Sequence, residues 1–423
     1  MKILITGSNT SLNNGAMAIV VSTVETLRRF IPNSSFVILS NDPLHDRKRY
    51  ATNNLKVVKR EWQGDRVLPG GGIVCLIIVF MRCILWRIFH SIFGLNIRIT
   101  LKGSLYEYST CDICIDLSGD SLSEQYGVIS VFYSLFDVLL GVVLKKKYVI
   151  YAQSIGPFTN LLVKFMVKFV LNKVSLITVR EEVSKEYLQK LGVNIPPIHV
   201  TADPAFLLES SSTEEIDKIL LSLGVSKNDN LLIGISPSQL IHRWASFGSR
   251  NILTNYSELM VEIVDYLVEK LHAIVILIPH VYAPDDDRII CKRIYKLIKN
   301  KNAVKLLMEQ YKAKELKGVI SQCDMFIGCR MHAVIASVSS HIPTIAIGYS
   351  HKALGIMKML NQEEFVIDIR YLDFDTCLSR LISMIDNLWL NRQSVKEELR
   401  NRIKSMQERA LLNVRFMIKS YGQ

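Results

Sequence analysis

The residues best suited to chemistry lie in one segment of the second half, CDMFIGCRMHAVIAS at 323–337. An apolar strand is predicted to end at Gly328, which puts Arg330 and His332 in the first turn of the following helix. The N–H groups of a helix N-terminus favour an anion, and a guanidinium can donate two parallel hydrogen bonds to a carboxylate or phosphate. An imidazole can transfer a proton. The pair predicts a site for a small anion with a proton donor beside it.

Two further turns in the same half carry basic side chains. His280 in IPHVYAPDDDR and Lys352 in the turn 349–352 each follow a predicted strand, so both could line one cleft with Arg330. The three aspartates at 285–287 are most simply interpreted as a helix N-terminus favoured by the helix dipole, with a Mg²⁺ site as the weaker alternative. We therefore assign no metal site.

Two turns in the first half also join a strand to a helix. In TGSNTSLNNGAMA at 6–18, Asn14 and Gly15 would let a ligand approach closely, although Asn14 could equally cap the helix. No GxGxxG or P-loop pattern is present there, so a dinucleotide or ATP phosphate site is not supported. In DLSGDSLSEQYG at 116–127, Asp120 could accept a proton from a sugar hydroxyl or could be a turn or capping residue.

The elements that position these turns alternate along the whole chain. Short apolar runs and longer helical patterns follow one another, which predicts an α/β protein of two doubly wound, Rossmann-like domains at 1–207 and 208–390. Helices are predicted at 374–388 and 391–421, and the basic helix at 391–423 could fold back across the first domain. A ligand is expected in the interdomain cleft, at the carboxyl ends of the strands.

The charge of the chain is concentrated in two stretches. The 423 residues carry 51 Lys and Arg against 39 Asp and Glu, a net charge of +12. Five bases at 66–106 and seven at 138–180 stand without acids and supply the whole excess, so the remainder balances at 39 against 39. Because these bases are embedded in apolar runs without a recognised binding module, we exclude nucleic acid as a partner. The 49% hydrophobic composition excludes a disordered chain.

The cysteines and the N-terminus favour a cytoplasmic protein. Eight cysteines without a regular framework fit a reducing compartment, and MKILITGS is too short in its apolar part for a secretory signal. Cys111 and Cys114 form a lone CxxC in an apolar run, so we interpret them as buried small residues rather than as a metal or redox site.

The most apolar segment, 73–93, is predicted to lie at a membrane surface rather than to cross the membrane. Arg82 and Arg87 near its centre would each cost about 2.5–3.5 kcal/mol in a spanning helix. At helical spacing its apolar side chains form one face and its arginines another, which is typical of a helix on an anionic bilayer; docking on the protein's own sheet is the alternative. Lys164 and Lys168 repeat the pattern. We predict peripheral attachment to the inner face of the cell membrane, with 66–106 as a basic apolar insertion.

The chain resembles the polysaccharide pyruvyl transferase family in seven motifs, in collinear order over about residues 1–360: NNGAMA at 13–18, DLSGDS at 116–121, YAQSIGP at 151–157, VREEVS at 179–184, ADPAF at 202–206, GCRMHA at 328–333 and PTIAIGYSHK at 343–352. The resemblance implies a GT-B-like arrangement of the two domains. It also implies transfer of pyruvate from phosphoenolpyruvate to two hydroxyls of a sugar, in a bacterial-type surface glycan or its lipid-linked precursor. The products would be a cyclic ketal and phosphate.

The chain departs from the family pattern at two places. Many members carry GGG where Ser118–Asp120 stand here, and several place a basic residue where this chain has Ser238 and Gln239. His242 and Arg243 follow closely, and we predict that they take over this role in binding phosphoenolpyruvate.

The resemblance and the residues together give each candidate a role. Phosphoenolpyruvate would be bound by Arg330, His332 and Lys352, with His242 and Arg243. We assign Asp120 as general base and His332 or His280 as general acid, and place the acceptor at Asn14, Gly15, Asp120 and Gln153. A carboxylate and a phosphate on a small frame require clustered cations, and no cofactor is needed.

Two other functions remain open from the sequence. The same two domains could serve a GT-B glycosyltransferase that uses a nucleotide sugar, with Arg330 on the diphosphate. A non-catalytic, membrane-associated scaffold for glycan assembly is the other alternative. The sequence does not indicate the oligomeric state.

Overall fold

The computed structural model describes residues 1–62, 71–93, 101–225, 231–246, 255–349 and 351–422. The chain divides into two compact units. The first consists of Met1–Ser11, Ile19–Pro204 and Glu408–Gln423, and the second of Leu12–Ala18 and Ala205–Gln407. The division after Pro204 lies close to the predicted boundary at 207. The end of the chain joins the first unit, as considered from the sequence, whereas the sequence did not indicate that Leu12–Ala18 joins the second.

The first unit is built on a parallel sheet. Its strands are β1 (Lys2–Thr6), β2 (Ser35–Ser40), β3 (Lys56–Lys59), β4 (Ile113–Asp116), β5 (Lys147–Gln153), β6 (Leu176–Val179) and β7 (Ile198–Val200), in the spatial order β3-β2-β1-β4-β5-β6-β7. Its helices are α1 (Asn14–Phe30, which begins in the second unit), α2 (Pro43–Arg49), α3 (Gly71–Phe93), α4 (Gly103–Thr110), α5 (Val128–Val143), α6 (Leu161–Leu171) and α7 (Glu182–Leu191).

The second unit has a parallel sheet of its own. Its strands are β8 (Leu232–Ser236), β9 (Ile274–Leu277), β10 (Val304–Leu306), β11 (Met325–Gly328), β12 (Thr344–Gly348) and β13 (Val366–Asp368), in the order β10-β9-β8-β11-β12-β13. Its helices are α8 (Thr213–Ser222), α9 (Gln239–Ser246), α10 (Tyr256–Leu271), α11 (Asp287–Leu297), α12 (Ala313–Ile320), α13 (Met331–Val338), α14 (His351–Met359) and α15 (Phe374–Gly422). The prediction of two doubly wound domains is confirmed.

Parallel strands that are covered by helices on both faces consist of continuous apolar residues, and such runs predict most of these strands from the sequence. Every residue of β4, β8 and β11 is buried. Strand β3, with sequence KVVK, was missed because it is a short edge strand whose first and last residues are exposed lysines.

The end of the chain differs from the prediction of two helices at 374–388 and 391–421. Helix α15 is continuous over 49 residues, because no proline or glycine interrupts it before its last residue. Its last turns belong to the first unit, where the Asn413 amide donates to the Ala202 carbonyl (2.9 Å) and the Thr201 hydroxyl donates to Asn413 Oδ1 (2.7 Å).

Helix α3, which contains the apolar segment, packs on the first unit with one face and exposes another. Val79 and Cys83 are buried in the core of the first unit, whereas Ile77, Met81 and Leu85 are exposed. Among the helices of the described ranges, none is long and apolar enough to cross a membrane. Of the predicted insertion at 66–106, Arg66 and Arg98 lie outside the described residues.

Candidate active site in the second unit

The candidate site lies at the carboxyl ends of four neighbouring strands, β8, β9, β11 and β12. Strands β8 and β11 are adjacent although they are far apart in sequence, so the order of the sheet reverses between them. Ligands of open α/β sheets bind at such a switch point. The Cys329 amide donates to the Ser236 carbonyl (2.9 Å), which joins the turns that follow these two strands.

Arg330 is held in place by a carboxylate that the sequence did not identify as its partner. It stands at the N-cap position of α13 with an extended backbone. Its Nε donates to Asp287 Oδ2 (3.1 Å) and its Nη2 to Asp287 Oδ1 (2.6 Å), a two-point contact that fixes the plane of the guanidinium. Burial alone would lower the pKa of Arg330, but attraction to Asp287 outweighs it and raises that pKa, so the side chain stays charged.

Asp287 connects three of the four turns. Its fully buried carboxylate also accepts the backbone N–H groups of Gln239 (2.9 Å), Val281 (2.9 Å) and His280 (3.3 Å). Burial raises the pKa of this carboxyl, and the charge of Arg330 and the N–H donors oppose that rise. Asp287 therefore ties the turns after β8 and β9 to the arginine after β11.

The other two aspartates have structural partners, so the alternative of a Mg²⁺ site is not supported. Asp286 caps α11 by accepting the Arg288 amide, and its carboxylate pairs with the Arg288 guanidinium (2.6 Å). Asp285 pairs with Arg243 (3.0 Å). In the described ranges, no group of three or more His, Cys, Asp or Glu side chains is placed to hold a metal ion.

His280 is a buried imidazole at the centre of this group. Within the part of the chain that the structure describes, neither of its ring nitrogens has a hydrogen-bond partner. Burial lowers the pKa of His280 to about 3, and the nearby His332 and Arg330 act in the same direction. The ring is therefore neutral at pH 7 in the protein without a ligand.

The pKa of His280 predicts a pH dependence of stability. In the folded protein the His280 ring stays neutral above about pH 3. In the unfolded chain the same ring takes up a proton as the pH falls through about 6.5. Acid therefore lowers the free energy of unfolding. At pH 5, which is 1.5 pH units below the pKa of the unfolded chain, the loss is about 2 kcal/mol. We expect the free energy of unfolding of His280→Gln, measured with urea, to fall less than that of the wild type between pH 7 and pH 5. Equal losses would contradict the burial of a neutral imidazole.

The start of α1 packs against both histidines. Asn13 Oδ1 accepts the amides of Gly15 (3.0 Å) and Ala16 (3.4 Å), so Asn13 caps the helix, and not Asn14 as considered from the sequence. The backbone N–H of the buried Asn14 donates to the His280 carbonyl (3.1 Å). A Cβ atom at Gly15 would lie 2.5 Å from Nδ1 of His332, so only glycine allows this approach. Asn14 and Gly15, which the sequence placed at the acceptor, thus lie with the predicted donor residues.

The remaining predicted donor residues divide into two groups. Lys352 is buried in the first turn of α14, and Tyr349 just before it lies near enough to affect the pKa of Arg330. Arg243 pairs with Asp285, whose carbonyl accepts a long hydrogen bond from Arg330 (3.4 Å). His242 instead lies beside Glu258 of α10 and Arg293 of α11, so the structure does not bring it into the cluster.

The predicted acceptor residues of the first unit follow β4 and end β5. Asp120 is half-buried, and the fully buried Arg180 donates to the carbonyl of Gly119 beside it. Gln153 has no exposed surface, and its amide donates to Asp116 Oδ1 (2.7 Å). Its Oε1 has no hydrogen-bond partner among the described residues, and the assignment of Gln153 to the acceptor stays a prediction.

Cys111 and Cys114 are buried in the core of the first unit, as interpreted from the sequence. Their sulfur atoms are 3.5 Å apart, and both cysteines are free thiols.

Comparison with known proteins identifies the chain at the level of a family. A family model described as polysaccharide pyruvyl transferase matches residues 13–351. The amylovoran biosynthesis protein AmsJ of Erwinia amylovora is 24% identical over 409 residues, which cover 92% of each chain.

Two solved structures show the same fold. UDP-GlcNAc 2-epimerase from Neisseria meningitidis, bound to UDP-GlcNAc, is 11% identical with a TM-score of 0.61, over 99% of this chain and all of that one. HepE from Anabaena, in complex with UDP and glucose, is 12% identical with a TM-score of 0.57, over 99% of this chain and 98% of that one. At such identities the likeness concerns the GT-B-like fold alone.

The match from 13 to 351 begins at the residue that caps α1 and ends at the first residue of α14. It therefore contains Gly15, His280, Arg330 and His332. The resemblance seen in the sequence motifs is confirmed, and the chain belongs to the polysaccharide pyruvyl transferase family.

Proposed function

We propose that the protein transfers pyruvate from phosphoenolpyruvate to two hydroxyls of a sugar in a surface glycan or its lipid-linked precursor. The observation that carries this proposal is the group formed by Arg330, His332 and His280 at the switch point of the second sheet. Two of these side chains are basic and one is a neutral, buried imidazole without a protein partner in the described ranges. Such a site suits a small ligand with a carboxylate and a phosphate.

Arg330 supports the proposal because its guanidinium has N–H groups that do not bond to Asp287. Within the described ranges its guanidinium bonds through Nε and Nη2, which leaves Nη1 for an oxyanion while the two-point contact with Asp287 fixes its direction. The N-terminus of α13 adds backbone N–H groups, and Lys352 adds a second cation. Neutralising cations are required because phosphoenolpyruvate is highly charged near pH 7.

The reaction that we propose balances without a cofactor. A general base removes the proton of one sugar hydroxyl as its oxygen attacks C2, and a general acid protonates the C3 methylene to a methyl group. The second hydroxyl then attacks C2, the C–O bond to phosphate breaks, and the second hydroxyl proton leaves with the phosphate. The products are the cyclic ketal and inorganic phosphate.

His332 is the proposed general acid, because the low pKa of His280 keeps that ring neutral before the donor binds. His280 is then proposed to hydrogen-bond the donor as a neutral imidazole. Asp120 is the proposed general base for the acceptor, on the turn that Arg180 fixes through Gly119.

The test is an assay with phosphoenolpyruvate and lipid-linked oligosaccharide. We expect phosphate release that depends on the acceptor, and a product whose mass has increased by pyruvate less one water. A nucleotide-sugar transferase would instead release a nucleotide and add a hexose mass. Absence of phosphate release with every acceptor, together with binding of a nucleotide sugar, would overturn the proposal. Because phosphoenolpyruvate is a cytoplasmic metabolite, we place the reaction at the inner face of the cell membrane.

Gly15→Ala tests the packing of α1 on His332. The added methyl would overlap Nδ1 and Cγ of the ring, at 2.5 and 2.8 Å, and displace it. A catalytic group misplaced by about 1 Å can cost a factor of about 100. We expect kcat for phosphate release to fall 10- to 100-fold, while thermal unfolding stays close to that of the wild type because a ring can turn where backbone cannot. An unchanged kcat would argue against His332 as a catalytic residue.

A further inference from the structure

The outer faces of two helices in the first unit expose apolar side chains instead of burying them. Helix α6 packs inward through Val163, Val167 and Val170, whereas Phe165 and Phe169 on its outer face are 66% and 53% exposed and stack on each other. Helix α3 packs inward through Val79 and Cys83, and its outer face exposes Val74, Ile77, Ile78, Met81, Leu85 and Ile88. Monomeric surfaces rarely expose contiguous apolar groups of this size.

These two faces belong to one layer of helices. Helix α5 contacts both α3 and α6, and Arg87 on α3 donates to the Val143 carbonyl at the end of α5 (3.2 Å). The inner sides of all three helices share one apolar core with the first sheet. Ile129, in the first turn of α5, is also exposed. We call the outer faces of α3 and α6 together the basic apolar surface.

Cations surround the apolar side chains on this surface. Arg82 and Arg87 of α3 are exposed, and α6 carries Lys164 and Lys168, followed by Lys173. The Lys173 ammonium lies 4.5 Å from the centre of the Phe169 ring. A groove of about 280 Å³ runs here, lined by Phe165, Lys168, Phe169, Asn172, Lys173 and Ile195.

The stretch of sequence that contains α6 has no acidic residue of its own. Residues 138–180 contain no Asp or Glu. Glu124 lies beside the start of α6: its carboxylate accepts the backbone N–H groups of Thr159 (2.7 Å) and Asn160 (3.1 Å) and lies near Lys164. The surface is therefore both apolar and positively charged.

We infer that the basic apolar surface docks on a bilayer that contains anionic phospholipid. The phenylalanine and aliphatic side chains enter the boundary between headgroups and acyl chains, and the lysines and arginines lie at the lipid phosphates. A second copy of the chain is a poorer occupant, because a twofold interface would oppose this positive surface to itself. The inference rests on the location at the inner face of the membrane given in the proposed function, and it assigns the surface that binds there. Its test measures binding and does not depend on catalysis.

The test is flotation of the full-length protein with vesicles of phosphatidylcholine alone and of phosphatidylcholine with phosphatidylglycerol. We expect binding to the anionic vesicles at low salt, weaker binding at high salt, and little binding to the neutral vesicles. Replacing Lys164, Lys168 and Lys173 together by glutamine is expected to lower the partition coefficient by about 100-fold. Phe165→Ser with Phe169→Ser should also abolish flotation.

A matched control keeps the change in net charge and moves it away from the surface. Glutamine at Lys292, Lys296 and Lys301, which are exposed in the second unit, should leave flotation unchanged. Phosphate release with a water-soluble acceptor should be the same in all of these variants, so failure of docking and failure of the proposed reaction are seen separately. Equal binding to neutral vesicles, equal loss in the control, or a dimer in light scattering that the Phe165 and Phe169 changes dissociate would overturn the inference.

Discussion

Replacing Arg330 by lysine is expected to lower kcat/KM for pyruvyl transfer by at least about 100-fold, with the charge retained. Lysine cannot make the two-point contact with Asp287 and still present an N–H group to the donor. Hydrogen bonds to charged groups contribute about 1.5–3 kcal/mol each, so the loss of two of them accounts for this factor. The measurement is steady-state phosphate release over a range of phosphoenolpyruvate concentrations.

Arg288 provides a closely matched control for this change. It forms the same two-point contact with its own aspartate, from Nε to Asp286 Oδ1 (2.9 Å) and from Nη2 to Asp286 Oδ2 (2.6 Å), but on the surface of α11. Arg288→Lys should leave kcat/KM nearly unchanged. If both lysine variants lose the same activity, or if Arg330→Lys loses none, Arg330 does not bind the donor.

Replacing Asp287 by alanine is expected to lower the free energy of unfolding by about 3–5 kcal/mol, as when one partner of a buried ion pair is removed. The Arg330 side chain is only 12% exposed and would be left without its counterion. The amides of Gln239 and Val281 would also lose their acceptor. Urea denaturation, followed by tryptophan fluorescence, measures the change.

The neighbouring Asp286→Ala is the control for Asp287→Ala. Asp286 caps α11 and pairs with Arg288, and both side chains of this pair are about a quarter exposed. The loss of a helix cap costs about 1 kcal/mol, and an exposed ion pair adds little. A loss at Asp287 no larger than that at Asp286 would mean that the buried pair does not organise the three turns.

Most of the fold could be predicted from the sequence because its evidence is local. The apolar runs predict strands at 176–179 and 231–236 and the helical periods predict helices at 182–191 and 256–271, and β6, β8, α7 and α10 agree with them within a residue. Such patterns depend on neighbours in the chain. Several elements were not predicted, among them α2, α4 and the three that follow, which lack such patterns. Strand β3 is short and carries lysine at both ends, and α9 and α14 lie beside polar or aromatic turns that the sequence presents as loops.

The candidate site was predicted in part. Arg330, His280 and Lys352 follow strands of one parallel sheet, and the carboxyl ends of such strands necessarily meet at one edge. Gln153, which the motif at 151–157 places at the acceptor, is the last residue of β5, and its side chain is buried in the structure without a ligand. Whether a side chain at a strand end faces a ligand or the interior depends on the packing around it.

The sequence by itself therefore determined the family, the two parallel sheets and the sheet edge at which the candidate anion-binding residues lie, since motifs, periodicity and the succession of strands are properties of the chain. Only the tertiary structure decided that Asp287 holds Arg330, 43 residues away. It also decided that Gly15 meets His332 and that an apolar face of α3 is exposed while another is buried. These contacts join distant segments, and their geometry is set by the packing of helices on the sheets, which no local pattern records.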